Sequence, residues 1–337
     1  MACPYNEFIM QTTAFLGTAH IHTPGFINMI NKRNDVRVKA VYDHDVARAQ
    51  KNAEKLNSQT VDSPQQILDD PEITSVIIAS ETARHLELVE AAAAAGKHIF
   101  AEKPLAINAD AARQMADAIQ KAGVTFQTGF MLRSTPHMQF IKNEIDKGNL
   151  GKITRMRVAN CHNGVQRGLF DDEWKWIADA EQAGGGGFAD LGAHALDILL
   201  WILTPSCGKV QKAVASLGSG FHRYGDIDEY GVGILSFENG AIGELAASWT
   251  DAKLRAPVEV HGTEGEILVQ GTDVYYYSEK VEGADGELWT DLPAQQPHAF
   301  ELFWDKLEGK PMQIDLISVE EAATGSILMD QMYKSAR

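Results

Sequence analysis

The first part of the chain alternates between short apolar runs and helix-like segments, and this alternation restricts the fold more than any other feature. The apolar runs, which predict strands, lie at 13–16, 36–42, 73–79, 99–101 and 124–128. The segments that predict helices lie at 24–30, 46–56, 84–95 and 109–122. Strands and helices that alternate at these lengths predict a parallel, doubly wound sheet, and ligands bind such a sheet at the carboxyl ends of its strands.

The turn after the first predicted strand stands where a dinucleotide-binding loop would lie. Its sequence is Gly17-Thr18-Ala19-His20-Ile21-His22, whereas the dinucleotide fingerprint is Gly-x-Gly-x-x-Gly. Only the first glycine is retained, so the pattern alone also fits an ordinary turn between a strand and a helix. Ala19 is small enough for a phosphate to approach the backbone, and His20 and His22 can donate hydrogen bonds to phosphate oxygens.

Asp43 ends the second predicted strand, ~20 residues beyond the loop, as the dinucleotide pattern requires. A carboxylate at this position pairs with the hydroxyls of the adenosine ribose and repels a 2′-phosphate. NAD is therefore favoured over NADP. Asp43 or Asp45 could also cap the helix that follows, and the two roles are compatible.

Glu102 and Lys103 emerge together at the carboxyl end of the strand at 99–101. Pro104 has no N–H group and cannot extend a central strand, so the chain must leave the sheet there. A Lys on a rigid element can take part in proton chemistry, because a buried ammonium loses its proton more easily. The same pair before a proline is also typical of a solvated turn.

A glycine-rich block, Gly184-Gly185-Gly186-Gly187, precedes a helix that carries three polar residues at helical spacing. Asp190, His194 and Asp197 are predicted to share one face of that helix. Such a polar stripe among apolar residues is costly to bury without a purpose. His194 could instead be a core histidine, or a metal ligand together with Asp190. Neighbouring ligands are lacking, so no metal is predicted.

The remainder of the chain predicts a second domain of a different class. Little periodicity is found at 161–183, where polar and aromatic side chains suit a polar ligand. From Val214 onward, alternating runs separated by turns predict an antiparallel meander with one buried face, and two helices close the chain. We predict an α/β plus α+β protein. Its two domains are a Rossmann-type doubly wound parallel sheet at 1–130, and a large, mostly antiparallel open sheet with flanking helices at 131–337, after an unstructured extension at 1–10.

Composition restricts the partners and the compartment. The net charge of −16 disfavours nucleic acid and anionic membrane as partners. The three cysteines are too scattered for a disulfide framework, which fits a reducing, cytoplasmic location. We expect no signal peptide, and the apolar stretch at 198–204 is too short to span a membrane. The open sheet makes a homodimer or homotetramer plausible.

The motifs together resemble the glucose–fructose oxidoreductase/inositol dehydrogenase/rhizopine-catabolism (Gfo/Idh/MocA) family over nearly the whole chain after residue 12. The matching pieces are Gly17, Asp43, the run from Ala95 to Leu105, Arg133, the block from Gly185 to Asp197, and 333–336. The resemblance implies NAD(P)-dependent oxidation of a secondary alcohol on a sugar or cyclitol. Two departures are the missing later glycines of the loop and Glu81, which stands where proline is common.

The resemblance also implies roles for individual residues. The catalytic group is Lys103, Asp190 and His194. Cofactor contacts are implied for Gly17, Thr18, Ala19, His20, His22, Asp43, Ser80, Thr82, His85, Glu102 and Lys103. Substrate contacts are implied for Lys103, Arg133, His162, Asn163, Trp176, Asp190 and His194. Three other functions stay open at this point: a relative that uses NAD transiently to cleave a glycoside, a non-enzymatic dinucleotide or sugar sensor, and a metal-dependent hydrolase.

Overall fold

The computed structural model describes residues 10–253 and 256–336. The predicted extension at 1–10 therefore lies, except for Met10, outside the described residues. The described chain divides into two compact units that interleave along the sequence. Unit 1 comprises the described residues up to Glu102, Gln114–Gly129 and His298–Val319; unit 2 comprises Lys103–Arg113, Phe130–Pro297 and the residues from Glu320 onward. The contiguous division at residue 130 stays a prediction.

The strands and helices are numbered here in chain order. The strands are β1 (Gln11–Leu16), β2 (Val36–Tyr42), β3 (Gln59–Thr60), β4 (Ser75–Ile78), β5 (His98–Ala101), β6 (Phe126–Thr128), β7 (Ile153–Cys161), β8 (Val210–Gly218), β9 (Tyr230–Phe237), β10 (Ile242–Ser248), β11 (Val258–Gly262), β12 (Gly265–Gln270), β13 (Asp273–Ser278) and β14 (Asp285–Trp289). The helices are α1 (Thr23–Ile30), α2 (Val46–Lys55), α3 (Pro64–Leu68), α4 (His85–Ala94), α5 (Ala109–Ala122), α6 (Pro136–Asp146), α7 (Ala180–Ala183), α8 (Gly187–Cys207), α9 (Ala299–Leu307) and α10 (Val319–Ser335).

Unit 1 contains a six-stranded sheet in the order β3-β2-β1-β4-β5-β6, in which every pairing is parallel. The strands β1 and β4 are buried along their whole length, which explains why their sequences show no alternation. The core beside the sheet includes Phe26 stacked on Phe300 of α9, with ring centroids 4.4 Å apart. This architecture confirms the predicted doubly wound parallel sheet.

Unit 2 contains an eight-stranded sheet in the order β14-β13-β12-β11-β7-β10-β9-β8. Helix α8 packs against β7, β9 and β10. The sheet is mostly antiparallel, as predicted, but β10 pairs with β7 in parallel. This pairing interrupts the simple meander that the alternating runs predicted, because β7 enters the middle of the sheet from an earlier part of the chain.

The segment 180–207 is long and apolar enough, by length and composition, to cross a membrane. It is also 83% buried over its most apolar part, as in the core helix of a folded unit. The span is longer than the apolar stretch considered from sequence, because α7 and the glycine-rich residues continue into α8.

Candidate active site

Lys103 and Asp190 form a buried ion pair within unit 2. Lys103 follows the end of β5 by two residues, and its side chain is 2% exposed. Its Nζ lies 2.8 Å from Oδ1 of Asp190 and 3.3 Å from the backbone oxygen of the same residue. The second carboxylate oxygen of Asp190 accepts a hydrogen bond of 3.0 Å from Nε1 of Trp249. The Glu102–Lys103 pair is therefore not a solvated turn, the alternative that the sequence left open.

The pKa of Asp190 lies well below its usual range. Burial acts to raise the pKa of this carboxyl group, but the Lys103 ammonium and the Trp249 N–H outweigh burial because both stabilise the charged form. Asp190 is therefore a carboxylate at neutral pH. It fixes the direction in which the Nζ of Lys103 points.

His194 lies one helical turn after Asp190 on α8 and is buried. Its ring stands edge-on to Phe130, with the centroids 5.8 Å apart. Residues four apart on a helix share a face, so the imidazole projects from the same side of α8 as Asp190. Asp190 and His194 thus share a face of α8, and Lys103, from the turn after β5 in the same unit, pairs with Asp190.

His162 lies within electrostatic range of the same group. Burial lowers the pKa of His162, the Asp190 carboxylate raises it, and the Lys103 ammonium lowers it. Nδ1 of His162 accepts a hydrogen bond of 2.9 Å from the N–H of Gly164, which places the proton of the neutral ring on Nε2. Its predicted contact with substrate stays a prediction, as do those of half-buried Asn163 and buried Trp176.

Arg133, predicted to bind substrate, is engaged in a buried ion pair. Its Nε and Nη2 lie 3.0 and 2.6 Å from the Asp197 carboxylate, and its Nη1 lies 2.8 Å from Glu321. Burial acts to lower the pKa of Arg133 and the two carboxylates raise it, with a net rise. The guanidinium ties α8 to α10, and a contact with substrate stays a prediction.

The loop after β1 in unit 1 begins with a glycine in a left-handed conformation. Gly17 has a φ of +88°, and a Cβ on it would lie 2.5 Å from the Cβ of Ser80. Only glycine fits this position without strain. Thr18 turns its N–H and its hydroxyl onto Oδ2 of Asp43, at 2.7 and 2.8 Å. Ala19 is buried. Close approach to Ser80 gives this loop the tight turn for which the first glycine of a dinucleotide-binding loop is needed. The contacts of Gly17, Thr18 and Ala19 with the cofactor stay predictions.

Asp43 is buried and accepts hydrogen bonds from five donors. Besides Thr18, the donors are the N–H of Asp45 at 3.0 Å and two atoms of Arg48, Nε at 2.9 Å and Nη2 at 2.7 Å. Burial acts to raise the pKa of Asp43, and these donors lower it, with a net fall. The cap of α2 is Asp45, whose Oδ1 accepts from the N–H of Arg48. The ribose contact of Asp43 stays a prediction.

His20, His22 and Glu102 form a cluster at the carboxyl end of the same sheet. Oε1 of Glu102 lies 3.1 Å from Nδ1 of His22, and its Oε2 lies 3.7 Å from Nε2 of His20. A Cβ on Gly129 would lie 2.6 Å from Oε1 of Glu102, so glycine leaves room for this buried carboxylate. The cluster therefore depends on residues from three separate strand ends.

By distance alone, the three donor atoms of this cluster could hold a metal ion, since they lie within 4.8 Å of one another. The N–H of His22 donates to Nδ1 of His20 at 3.3 Å, which places the proton of a neutral His20 on the nitrogen facing Glu102. A metal ligand must be unprotonated, so this tautomer favours hydrogen bonding. The absence of a resident metal stays a prediction.

Ser80, Thr82 and His85 follow β4 and are buried. The hydroxyl of Ser80 donates to the backbone oxygen of Glu81 at 3.1 Å, and Thr82 begins a 3₁₀ turn that leads into α4. They lie at the sheet edge that also holds Gly17. Their contacts with the cofactor stay predictions.

Sequence reasoning missed three contributors to these arrangements. Trp249 binds Asp190, and Arg48 binds Asp43. The hydroxyl of Tyr333 accepts from the N–H groups of Gly186 and Ala189 and donates to Oδ1 of Asp228 at 2.9 Å. Arg48 could have been found, since a cation one turn into the helix after Asp43 is in reach. No local pattern marks Trp249.

Comparison with known proteins agrees with this geometry. Residues 12–130 match the model of an oxidoreductase family with an NAD-binding Rossmann fold, and residues 138–268 match the GFO/IDH/MocA C-terminal domain. The chain is 31% identical to the uncharacterised oxidoreductase YrbE of Bacillus subtilis, over 73% of this chain and 70% of YrbE. It is 30% identical to scyllo-inositol 2-dehydrogenase (NAD(+)) of the same organism, over 72% of this chain and 68% of that enzyme.

Among solved structures, levoglucosan dehydrogenase in complex with NADH and levoglucosan has the same fold, with a TM-score of 0.78. The two chains are 21% identical, and 97% of each is covered. The match extends through both sheets. The cofactor-binding domain is thus an NAD-binding Rossmann domain, and the chain belongs to the Gfo/Idh/MocA family of oxidoreductases.

Proposed function

We propose that the protein oxidises a secondary alcohol of a sugar, glycoside or cyclitol with NAD. The observation that supports this most is the buried Lys103–Asp190 pair, one helical turn from His194. An imidazole on α8 and an ammonium paired with the same face of that helix can together bind and deprotonate a hydroxyl group. The relative that oxidises scyllo-inositol, and the levoglucosan complex of the same fold, support a polyhydroxylated ring as substrate.

The residues of unit 2 divide the proton chemistry between them. Lys103 donates a hydrogen bond to the substrate hydroxyl and offsets the negative charge that develops on its oxygen. His194 accepts the hydroxyl proton as general base. Asp190 holds the ammonium of Lys103 in place. NAD, when bound, supplies the acceptor for the hydride that leaves the same carbon, so that the alcohol becomes a ketone.

A screen of NAD reduction tests this proposal. Sugars, methyl glycosides, polyols and inositols are supplied with NAD, and formation of NADH is followed at 340 nm, with NADP as the parallel control. We expect NADH to form with at least one ring compound that carries a vicinal diol. Release of a leaving group without net NADH would instead identify a glycoside-cleaving enzyme. Tight binding of NADH without turnover across the panel would identify a sensor.

We further propose that the protein is a cytoplasmic homodimer or homotetramer that associates through the sheet of unit 2. One face of this sheet is buried under α8, and the other carries exposed apolar side chains. These are Tyr230, Val232 and Ile234 on β9 and Ile242 on β10. Such a stripe on an open sheet is typical of an interface.

A further inference from the structure

Arg48 joins the ends of two strands that flank the dinucleotide loop. The sheet order places β1 between β2 and β4. Asp43 follows β2, and Glu81 follows β4. Nη2 of Arg48 lies 2.7 Å from Oδ1 of Asp43 and 2.9 Å from Oε1 of Glu81. The guanidinium therefore bridges the two neighbours of β1, at the sheet edge where the loop with Gly17 begins.

The two carboxylates hold Arg48 on both sides. The side chain of Arg48 is 15% exposed, and those of Asp43 and Glu81 are 0% and 5% exposed. Burial acts to lower the pKa of Arg48, but Asp43 and Glu81 raise it, so the guanidinium stays charged. Two negative charges against one positive charge leave this cluster with a net charge of −1. His44 also lies between the same carboxylates, 3.4 Å from Asp43 and 3.7 Å from Glu81.

A carboxylate after β2 receives the adenosine ribose in a dinucleotide site, and an arginine nearby can accept the 2′-phosphate of NADP. This chain has both groups at that place. A guanidinium binds a phosphate well only when its planar set of N–H donors is free to face it. Asp43 occupies the edge of Arg48 formed by Nε and Nη2, and Glu81 accepts a further hydrogen bond from Nη2 and adds a second negative charge.

We propose that Glu81 determines the preference of the enzyme for NAD over NADP, by holding the Arg48 guanidinium and by repelling the 2′-phosphate. The proposal rests on the proposed function only in that a dinucleotide must bind unit 1. Asp43 alone supplies one repelling charge, and it is already neutralised by Arg48. Glu81 is the second charge, and it makes the sum of the charges on Asp43, Glu81 and Arg48 negative, which disfavours a 2′-phosphate.

The test compares Glu81→Gln with the wild-type protein by fluorescence titration with NADPH and with NADH. We expect NADPH to bind about tenfold more tightly to the variant, the effect of one charge a few ångströms away at the surface of a protein. The dissociation constant for NADH should change by about twofold or less. Glu87→Gln is the matched control, since Glu87 is exposed and pairs with Arg84 in the same segment. It should leave both constants unchanged.

The double variant Glu81→Gln/Arg48→Gln tests whether the effect passes through Arg48. We expect the gain in NADPH affinity to be smaller than in Glu81→Gln, because the repelling charge is removed but no guanidinium is released. An undiminished gain would overturn the role of Arg48, and an unchanged NADPH-to-NADH ratio in a folded Glu81→Gln protein with normal NADH affinity would overturn the inference alone. Glu81→Ala provides a second variant if the first does not fold. Failure of the wild-type protein to bind either dinucleotide would overturn the proposed function itself.

Discussion

At the scale of single residues, Lys103 shows how a charge can be kept in a buried position. An ammonium that is withdrawn from water is costly unless it is paired and hydrogen-bonded. Asp190 provides the pair, and Trp249 binds the second oxygen of that carboxylate. Removing one member leaves the other charge uncompensated, so both activity and stability depend on the pair.

We predict that Lys103→Ala and His194→Ala each lower kcat by roughly 10²–10⁴-fold, because each removes a group that handles the hydroxyl proton or its charge. The measurement is steady-state NADH formation with the best substrate from the screen. Lys334→Ala is the control, since Lys334 is exposed and pairs with Asp330 of the same helix, 2.7 Å away. Near-normal turnover in both test variants would reject the assignment.

The lowered pKa of Asp190 predicts a dependence of stability on pH. The unfolded carboxyl group has a pKa near 3.8, and the folded one titrates at lower pH. The unfolded chain therefore binds the proton first as pH falls, so this contribution is present above pH 3.8 and is lost progressively below it. The loss is at most about 1.4 kcal/mol per pH unit. The free energy of unfolding, measured with urea from pH 5 to pH 3, should decline more steeply for wild type than for Asp190→Asn. Parallel curves of this free energy against pH would contradict the prediction.

The sequence predicted much of this site but not its long-range contacts. Helical spacing placed Asp190 and His194 on one face, and the proline after Lys103 located the end of a strand. The bond from Trp249 to Asp190 joins residues far apart in the chain, and no periodicity encodes such a contact. The position of Asp43 predicts a contact with ribose, which stays a prediction, whereas its hydrogen-bond partners depend on how α2 packs against the strand ends.

At the scale of elements, the start of α8 is determined by close backbone approach. A Cβ on Gly186 would collide with the backbone oxygen of Asp228, and one on Gly187 would collide with that of Glu229. Asp228 accepts from the N–H groups of Gly186 and Phe188, at 3.0 and 2.9 Å. The glycines thus allow the start of α8 to pack closely against the backbone of Asp228 and Glu229 in the same unit.

We predict that Gly186→Ala lowers the free energy of unfolding by about 1–3 kcal/mol or more, because the added methyl group meets backbone that cannot move aside. The matched control is Gly325→Ala in α10, where a Cβ would meet nothing within 4 Å. That change should raise stability by about 0.5–1 kcal/mol, since alanine favours the helix. Urea titrations measure both, and equal effects of the two substitutions would contradict this account.

Element types followed from the sequence more readily than element neighbours. Alternation predicts the strands β9 and β10, which the structure confirms, but it does not identify their buried faces. The apolar Val232, Ile234 and Ile242 lie on the exposed face, whereas the buried face of β9 includes Gly231 and Gly233. Alternation also does not specify which strand lies beside β10. The parallel pairing of β10 with β7, in which Leu245 lies opposite Val158, depends on how α8 connects the two halves of the sheet.

At the scale of the whole molecule, the proposed assembly gives a test of the exposed sheet face. We expect Ile234→Lys, alone or combined with Val232→Glu, to dissociate the oligomer to monomers. Both variants place charges where a partner must pack. Light scattering after size-exclusion chromatography measures the mass. Tyr277→Lys, an exposed change on β13, tests how far the interface extends. A monomeric wild-type protein would contradict the proposal.

The interleaving of the two units could not be predicted from sequence. The helix at 299–307 shows an amphipathic pattern that fits either unit, yet Phe300, Phe303 and Trp304 pack in the core of unit 1. Hydrophobic periodicity shows that a face is buried, and it contains no information about which apolar surface buries it. Segment 298–319 therefore belongs to a unit whose sheet was completed far earlier in the chain.

The burial of α8 has a consequence for how the polypeptide is made. Of the strands that cover this helix, β7 precedes it, but β9 and β10 follow and are complete only at Ser248. After the end of α8 at Cys207, the ribosome must therefore add about 40 residues before β10 is complete. This takes roughly 2–8 seconds at translation rates of about 5–20 residues per second. Throughout that interval the long apolar helix lacks β9 and β10, which cover it in the folded unit. We therefore expect a nascent chain that stalls in this interval to bind chaperones more readily than the completed protein does.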